Sequence, residues 1–306
     1  MKSLVSITDL KIAEAHKLFE MARLLKHRPK LYARALQGKS IGLIFEKPST
    51  RTWLSFDVGV ASLGGHSIYL GPDDLKLGVR EDTRDVARVM ERYLDGVVMR
   101  TFSHQTILQF QQYFRKPVIN GLSDLAHPCQ ALADFFTIGE HFRSLSKIKI
   151  AFVGDGNNVL NSNLLLAAML GARFHYATPG EYQPRKEVVA QACEIAKKTG
   201  ARIEASSDPR NAVKDADVIY TDVWVSMGEE KLRTQKVSAF QAMQVNRELV
   251  KLAKPGAYVM HCLPAHRGEE ITEEVLEGPQ SVVFDQAENR LHVQKAVLIH
   301  LFSGKR

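Results

Sequence analysis

Cysteine is scarce in this chain, and no two cysteines have the spacing of a zinc-binding or redox pair. Cys129, Cys193 and Cys262 are an odd number without a CxxC motif. This pattern argues against a disulfide framework and against a structural zinc site. We therefore expect free thiols in a reducing compartment.

Long apolar runs are also lacking. No stretch approaches the roughly 20 residues needed to cross a bilayer, and residues 1–11 mix charged and apolar side chains without the apolar core of a signal peptide. We therefore expect a cytoplasmic protein that makes no membrane contact.

The net charge of +7 favours anionic partners. However, Lys and Arg are dispersed, and no basic tract with interleaved aromatic residues is present, so nucleic-acid binding is the weaker alternative. With 306 residues and 45% hydrophobic content, the chain is long enough for two domains that each bury a core.

Strand-like and helical patterns alternate along the whole chain, which is typical of parallel sheets flanked by helices. Strands are predicted at Ser40–Phe45, His66–Leu70, Gly96–Arg100, Pro117–Asn120, Ile148–Val153, Arg173–Ala177, Arg202–Ala205, Val218–Thr221, Ala257–His261 and Ser281–Phe284. The clearest helices are predicted at Leu10–Leu25, Thr52–Leu63, Glu81–Tyr93, Gln105–Phe114, Pro128–Glu140 and Glu288–Phe302. The predicted fold is α/β, with two similar domains, each a mainly parallel sheet flanked by helices, and with the active site in the cleft between them. The first domain is residues 1–143, joined by the C-terminal helix 288–306, and the second is residues 144–287.

Ser49-Thr50-Arg51-Thr52 follows the first strand and opens a helix. The start of a helix presents unpaired backbone N–H groups and the positive end of its dipole, and an arginine can bind phosphate oxygens with two donors. The run therefore predicts an anion site, and a simple N-cap is the alternative for Ser49 or Thr50.

Further basic and polar residues stand at strand ends or helix starts. Arg100 ends a strand, His127 and Gln130 open a helix, and Arg290 lies near the start of the last helix. Taken singly, each is an ordinary surface or core residue. Because they share this placement, we expect them to meet in one cleft.

Gly154-Asp155-Gly156-Asn157-Asn158-Val159 resembles a dinucleotide-binding turn only superficially. Val159 replaces the third glycine, and no acidic residue ends the next strand, so a nicotinamide site is disfavoured. The asparagine amides can instead donate to a carboxylate. Asp222 follows another strand and can pair with an ammonium group or cap a turn.

His261-Cys262-Leu263-Pro264 lies where a buried strand ends and a loop begins. A free cysteine is most often a small packed hydrophobic residue. Its position at the C-terminal end of a parallel strand, where α/β enzymes place reacting groups, favours a functional role. Together, the first half provides groups for a phosphate and the second provides Asn158, Asp222 and Cys262 for an amino acid, which indicates a transferase.

These runs closely resemble the ornithine carbamoyltransferases of the aspartate/ornithine carbamoyltransferase superfamily. The matching runs occur in family order at residues 49–52, 127–130, 154–158, 222–228, 261–264 and 287–290. The resemblance implies transfer of a carbamoyl group from carbamoyl phosphate to the δ-amine of L-ornithine, without a cofactor or metal, in a homotrimer or a multiple of trimers.

The resemblance also assigns site residues. It implies that Arg100, His127 and Cys262 are catalytic. The residues that it implies for carbamoyl phosphate are Ser49, Thr50, Arg51, Thr52, Arg100, His127, Gln130, Cys262, Leu263 and Arg290. Those implied for ornithine are Asn158, Asp222, Ser226 and Met227.

Two positions depart from the family pattern. Trp53 stands where the phosphate run usually ends in arginine, and Lys76 stands where glutamine or histidine is commoner. Lys76 lies in a loop that, in this family, reaches into a neighbouring subunit's site. We therefore expect Lys76 to contact carbamoyl phosphate across a trimer interface; a solvated loop lysine is the alternative.

Two alternative functions are less well supported by the sequence. The sister aspartate carbamoyltransferases are similar in the first domain but carry a proline-leucine-proline-arginine loop in place of His-Cys-Leu-Pro. A basic α/β protein that binds phosphorylated metabolites or RNA is the non-enzyme alternative.

Overall fold

The computed structural model describes residues 1–75, 77–78 and 81–303. Lys76, for which a role was expected from the sequence, lies outside these residues. The chain forms two compact units, Met1–Ala133 with Glu288–Arg306, and Asp134–Ala287. We call them unit 1 and unit 2.

Unit 1 is built on a four-stranded parallel sheet in the order β2-β1-β3-β4. The strands are β1 (Ser40–Phe45), β2 (His66–Leu70), β3 (Gly96–Arg100) and β4 (Val118–Leu122). The helices α1 (Ile12–His27), α2 (Thr50–Ser62), α3 (Thr83–Tyr93) and α4 (His104–Tyr113) belong to the same unit. The inner strands β1 and β3 are apolar runs that are almost fully buried, as strands covered on both faces must be, whereas β2 is a partly exposed edge strand.

Unit 2 contains a five-stranded parallel sheet in the order β7-β6-β5-β8-β9. Its strands are β5 (Lys149–Val153), β6 (Arg173–Ala177), β7 (Arg202–Ser206), β8 (Val218–Thr221) and β9 (Tyr258–His261). Two long helices, α5 (Pro128–His141) and α12 (Val283–Phe302), have residues in both units. The other helices of unit 2 are α6 (Asn158–Leu170), α7 (Lys186–Thr199), α8 (Pro209–Val213), α9 (Arg233–Phe240), α10 (Arg247–Val250) and α11 (Glu273–Leu276).

The strand order of each sheet determines where polar residues collect. In unit 1 the order changes direction between β1 and β3, and in unit 2 it changes between β5 and β8. Ligands of open α/β sheets bind beyond the carboxyl ends of strands at such switch points. In unit 1, residues 49–52 follow β1, Arg100 ends β3 and His127 follows β4. In unit 2, Asn158, Asp222 and Cys262 follow β5, β8 and β9.

The predicted fold class is confirmed, because both sheets are parallel and carry helices between their strands. One predicted strand is wrong. Ser281 forms a single bridge with Val259, and the chain then enters α12 at Val283, so the last helix starts five residues earlier than the predicted Glu288. In the run 281–284, Ser281 therefore pairs with β9 at a single bridge, and residues 283–284 belong to the first turn of α12.

Among the residues that the structure describes, none of the helices combines the length and apolar character needed to cross a bilayer. The expected domain boundary near residue 143 stays a prediction, since the division between the two units falls inside α5, which continues to His141.

Candidate active site

The N-terminus of α2 forms one side of a polar cluster in unit 1. Ser49 is the N-cap, and its hydroxyl oxygen accepts a hydrogen bond from the Thr52 backbone N–H at 3.3 Å. Thr50 is exposed, Arg51 is half-buried and Thr52 is fully buried. The capping role weighed for Ser49 is therefore real, and it fixes the first turn of the helix at the end of β1.

Arg290 joins three distant segments of unit 1. Its Nη2 donates to Thr52 Oγ1 at 2.8 Å, and its Nη1 donates to Gln130 Oε1 at 3.1 Å. All three side chains are buried. A residue of the last helix thus contacts the start of α2 and the first turn of α5, as their positions at helix starts suggested.

His127 and Arg100 lie in the same basic surroundings. Both are buried, Arg100 at the end of β3 and His127 directly before α5. Burial holds the pKa of His127 well below its ordinary value, and the nearby Arg290, Arg100 and Arg51 lower it further. The imidazole is therefore neutral near pH 7, with one nitrogen that can donate a hydrogen bond and one that can accept.

Lys47 is a further buried cation of this unit, and it was not predicted from the sequence. Lys47 follows β1 by two residues, is only 7% exposed, and places Nζ 4.6 Å from the centre of the Phe102 ring. Its position just after a strand end is the signal that could have found it. By contrast, Cys129 is a packed thiol, because burial raises its pKa to about 12 and its Sγ donates to the Asn120 carbonyl oxygen at 3.7 Å.

An acid–thiol pair lies after β8 and β9 in unit 2. Cys262 Sγ donates to Asp222 Oδ1 at 3.1 Å, and both side chains are buried. Asn157 Nδ2 donates to the other carboxylate oxygen, Asp222 Oδ2, at 2.8 Å. Residues that follow three strands are thus brought together, and Asn157, one of the two asparagines of the 154–159 run, provides the amide.

Asn157 and Asn158 occupy different positions. Asn157 is the N-cap of α6 and accepts from the backbone N–H groups of Val159 and Leu160, while Asn158 is the first residue of the helix. Gly156 allows this turn to pack closely, because a Cβ there would lie 2.3 Å from Pro184 N. A glycine is therefore required here because the backbone at Pro184 leaves no room for a side chain.

The loop after β9 has an unusual backbone. Leu263 adopts φ +57°, and the Leu263–Pro264 peptide bond is cis. The Leu263 backbone N–H donates to His261 Nδ1 at 2.9 Å, and His261 Nε2 lies 3.1 Å from Glu270 Oε1, with both of these side chains fully buried. Since Nδ1 accepts, Nε2 must carry the proton and donate to Glu270. Glu270 was not found from the sequence.

The segment after Asp222 forms a tight turn. The Ser226 backbone N–H donates to Glu229 Oε2 at 3.2 Å, and the Gly228 backbone N–H donates to Glu230 Oε1 at 2.9 Å. The Met227 side chain is 46% exposed. The two residues expected to receive ornithine are therefore presented by a loop whose backbone is held by its own acidic side chains.

These clusters at the strand ends of two parallel sheets are typical of an α/β enzyme, and their charges suit an anion in unit 1 and an amine in unit 2. Comparison with known families agrees. The model described as aspartate/ornithine carbamoyltransferase, carbamoyl-P binding domain, matches residues 2–140, and the model described as aspartate/ornithine carbamoyltransferase, Asp/Orn binding domain, matches residues 146–301. The chain belongs to the aspartate/ornithine carbamoyltransferase family.

Individual relatives span nearly the whole chain. The ornithine carbamoyltransferase of Archaeoglobus fulgidus is 50% identical over 303 residues, which are 98% of this chain and 97% of the relative. The anabolic ornithine carbamoyltransferase of Pyrococcus furiosus is 47% identical over 305 residues, or 99% and 97% of the two chains. A solved structure of ornithine carbamoyltransferase from Pyrococcus furiosus matches with a TM-score of 0.96 and 47% identity, covering 100% of this chain and 98% of that one.

Proposed function

We propose that this protein transfers the carbamoyl group of carbamoyl phosphate to the δ-amine of L-ornithine, giving L-citrulline and phosphate. The observation that carries the choice of acceptor is the Cys262–Asp222 hydrogen bond of 3.1 Å, with Asn157 on the second carboxylate oxygen. A carboxylate and a thiol suit an amine. The second carboxylate of aspartate would instead require a cation at this place.

The carbamoyl phosphate site that we propose lies in unit 1. One of its members, Arg290, donates hydrogen bonds to two others, Thr52 and Gln130. A phosphate dianion suits this cluster because guanidinium groups and helix N-termini stabilise phosphate oxygens. The full proposed set adds Ser49, Thr50, Arg51, Arg100 and His127, with Cys262, Leu263 and, outside the described residues, Lys76.

The ornithine site that we propose lies in unit 2 and comprises Asn158, Asp222, Ser226 and Met227. Asp222 is buried and already accepts hydrogen bonds from the Cys262 thiol and the Asn157 amide. A carboxylate held in this way has a fixed orientation, so that it can direct an amino group of the substrate.

The proposed chemistry is direct attack. The neutral δ-amine forms a C–N bond to the carbamoyl carbon, the tetrahedral oxyanion collapses, and the C–O bond to phosphate breaks with its electron pair leaving on phosphate. The amine proton passes to the departing phosphate. We propose that Thr52, Arg100 and His127 stabilise the carbamoyl oxygen, and removing one such donor typically costs about 2.7–4 kcal/mol of barrier.

His127 can donate in this scheme although it is neutral. Its lowered pKa leaves one N–H on the ring at neutral pH. Cys262 is proposed to position the δ-amine through Asp222, since direct attack by the amine needs no covalent intermediate.

We propose a homotrimer, or a multiple of trimers, as the working assembly. An exposed apolar patch on unit 1 supports self-association: Trp53, Leu54 and Val58 of α2 and Tyr69 of β2 are 39%, 47%, 47% and 39% exposed. The Trp53 and Tyr69 rings contact each other with centroids 5.1 Å apart. Trp53, which departs from the family's usual arginine, thus adds apolar surface beside an edge strand. We call these four residues the edge patch.

We further propose a cytoplasmic location, a role in arginine biosynthesis, and a domain division into residues 1–143 with 288–306 and residues 144–287. All three thiols are free, which supports a reducing compartment.

One experiment tests the activity. Purified protein is given carbamoyl phosphate with ornithine, aspartate, putrescine or acetylornithine, and carbamoylated product is measured for each. We expect citrulline from ornithine alone. Product from aspartate only would overturn the proposal, and so would a rate with ornithine that does not rise between pH 6 and 9, because free ornithine's δ-amine titrates near pH 10.4, as a lysine does.

A further inference from the structure

Lys236 is a buried lysine that the proposed reaction does not use. It lies on α9, and its side chain is only 3% exposed. Its Nζ is 2.7 Å from Asp155 Oδ2 and 2.6 Å from Glu229 Oε2, and it stands 5.4 Å from the centre of the Tyr182 ring. Because burying an ammonium group is costly unless it is paired, this placement depends on both carboxylates.

The two carboxylates belong to two different turns. Asp155 lies in the turn after β5, two residues before Asn157, which donates to Asp222. Glu229 lies in the loop after β8, and the same Oε2 atom that contacts Lys236 also accepts from the Ser226 backbone N–H at 3.2 Å. Lys236 therefore connects, through one carboxylate each, the turn that orients Asp222 and the loop that presents Ser226.

Removing Lys236 would affect both turns together. The carboxylates of Asp155 and Glu229 would then face each other without the ammonium between them. Because both lie within 2.7 Å of the position of Nζ, their like charges would repel. Glu229 is 39% exposed at its side chain, whereas Asp155 is 8% exposed, so Glu229 is the partner that can turn towards solvent. That movement would release the Ser226 backbone.

We propose that Lys236 is a positioning residue for the amino-acid substrate, which holds the loop of residues 226–229 against the turn of residues 154–157. This inference rests on the proposed function, because it requires that Ser226 and Asp222 receive ornithine. Lys236 touches neither substrate nor reacting atoms in this scheme. It acts through Glu229 and Asp155.

The electrostatics of the cluster agree with this role. Burial alone would lower the pKa of Lys236, but Asp155 and Glu229 together raise it, so the ammonium stays charged throughout the neutral range. Burial also raises the pKa of Asp155 to about 6 in spite of the adjacent ammonium. The connection is therefore strongest above that pH, where both partners are ionised.

The test is a comparison of Lys236→Met with Lys236→Arg and with a matched control. Lys251→Met removes another ion-paired lysine of unit 2, whose Nζ lies 2.6 Å from Glu248 Oε1 at the surface. Steady-state kinetics with both substrates varied give KM for ornithine and for carbamoyl phosphate. Calorimetric titration with L-norvaline, which is ornithine without the δ-amine, measures the contacts of the 226–229 loop to the amino acid separately from the contact of Asp222 to the δ-amine.

We expect Lys236→Met to raise KM for ornithine and Kd for L-norvaline at least about tenfold, since a misplaced positioning group typically costs such factors. Affinity for carbamoyl phosphate should stay within about twofold, as for a distant site. Lys236→Arg should recover most of the loss, and Lys251→Met should behave as wild type.

A purely structural role would appear differently. It would lower the melting temperature and the active fraction, so that kcat falls while both KM values stay unchanged, and this result would overturn the inference. An unchanged KM for ornithine in an active Lys236→Met enzyme would also overturn it, and the proposed function would stand. Wild-type protein that makes no citrulline would overturn both.

Discussion

Arg290 Nη2 donates a hydrogen bond to Thr52 Oγ1 at 2.8 Å, although the two residues are 238 positions apart in the chain. The same guanidinium reaches Gln130 Oε1. The last helix therefore contributes to a cluster whose other members come from the first 133 residues. A guanidinium with two such contacts has a fixed orientation, as the proposed phosphate site requires.

Replacing Arg290 by methionine should weaken carbamoyl phosphate binding about 100-fold or more, because a charge-assisted contact to a buried anion is lost and Thr52 and Gln130 lose their shared donor. KM for carbamoyl phosphate and calorimetric titration with inorganic phosphate measure the effect. Arg23→Met, an exposed position on α1, is the matched control and should bind as wild type. Wild-type affinity of Arg290→Met would remove this residue from the site.

Cys262 and Asp222 should behave as one unit towards ornithine. Cys262→Ala and Asp222→Asn should each raise KM for ornithine and lower kcat, while the affinity for inorganic phosphate, which lacks the carbamoyl group, is kept. Because the thiol donates directly to the carboxylate, the double variant should lose less than the product of the two single losses. A double-mutant cycle on kcat/KM for ornithine measures this, and strictly multiplicative losses would show that the hydrogen bond has no role in the reaction.

His127 should make the protein sensitive to acid. Its pKa is held well below the ordinary value by burial and by Arg290, Arg100 and Arg51. The folded state therefore binds fewer protons than the unfolded state as the pH falls below about 6.5, so stability is present above that pH and is lost below it. Between pH 6.5 and 5, the free energy of unfolding of wild type should fall faster than that of His127→Gln, by about 1.4 kcal/mol per pH unit. Denaturant titrations at several pH values give the free energy of unfolding of both proteins. If the two values fall in parallel with pH, His127 is not the source of the acid sensitivity.

Asp155 should give L-norvaline binding its own pH dependence. The carboxyl, whose pKa burial raises to about 6, faces Lys236 and feels the charges of Glu229 and Asp222. As the pH falls through that value, Asp155 gains a proton and its ion pair with Lys236 is lost, so Kd for L-norvaline should rise. Asp155→Asn should bind weakly at all pH values, without the inflection near pH 6. Calorimetric titrations from pH 5 to 8 compare the Kd of wild type with that of Asp155→Asn. If the variant shows the same inflection near pH 6, Asp155 is not its source.

Trp53→Glu should weaken the proposed trimer. Burial of the apolar edge patch between subunits would drive association, and the substitution places a charge in this patch, which opposes its burial. Analytical ultracentrifugation should show a shift towards smaller species. Leu252→Glu, at an exposed apolar residue of unit 2, is the control and should keep the wild-type size. If wild type is itself a monomer at micromolar concentration, the trimer proposal is wrong.

The inner strands of both sheets could be predicted from the sequence because buried parallel strands are short apolar runs. Nine of the ten predicted strands occur within two residues of their expected positions, so the later polar residues could be placed at strand ends. The exception, residues 281–284, shows the limit of the pattern. Val283 and Phe284 favour strands by type, but the position of α12 in the folded chain decides their conformation.

The buried charged residues were missed for different reasons. Lys47 could have been found from its position two residues after β1, but Lys236 and Glu270 are charged residues in polar stretches, which read as solvated surface. Their burial depends on partners up to 81 positions away, as for Lys236 and Asp155. Composition and periodicity carry no signal for such pairs, whereas strand-end placement located Asp222 and Cys262.

Unit 1 is built from two segments of the chain that are separated by unit 2, so its second segment is synthesised only after unit 2. A ribosome releases the chain from its N-terminus, and domains commonly begin to fold as they emerge. When residues 1–133 are outside, they contain β1–β4 and the start of α5, yet Arg290 has not been synthesised. The nascent chain must pass through all of unit 2 before the guanidinium for Thr52 and Gln130 arrives. In the cell, the proposed carbamoyl phosphate site can thus become complete only after unit 2 has been synthesised.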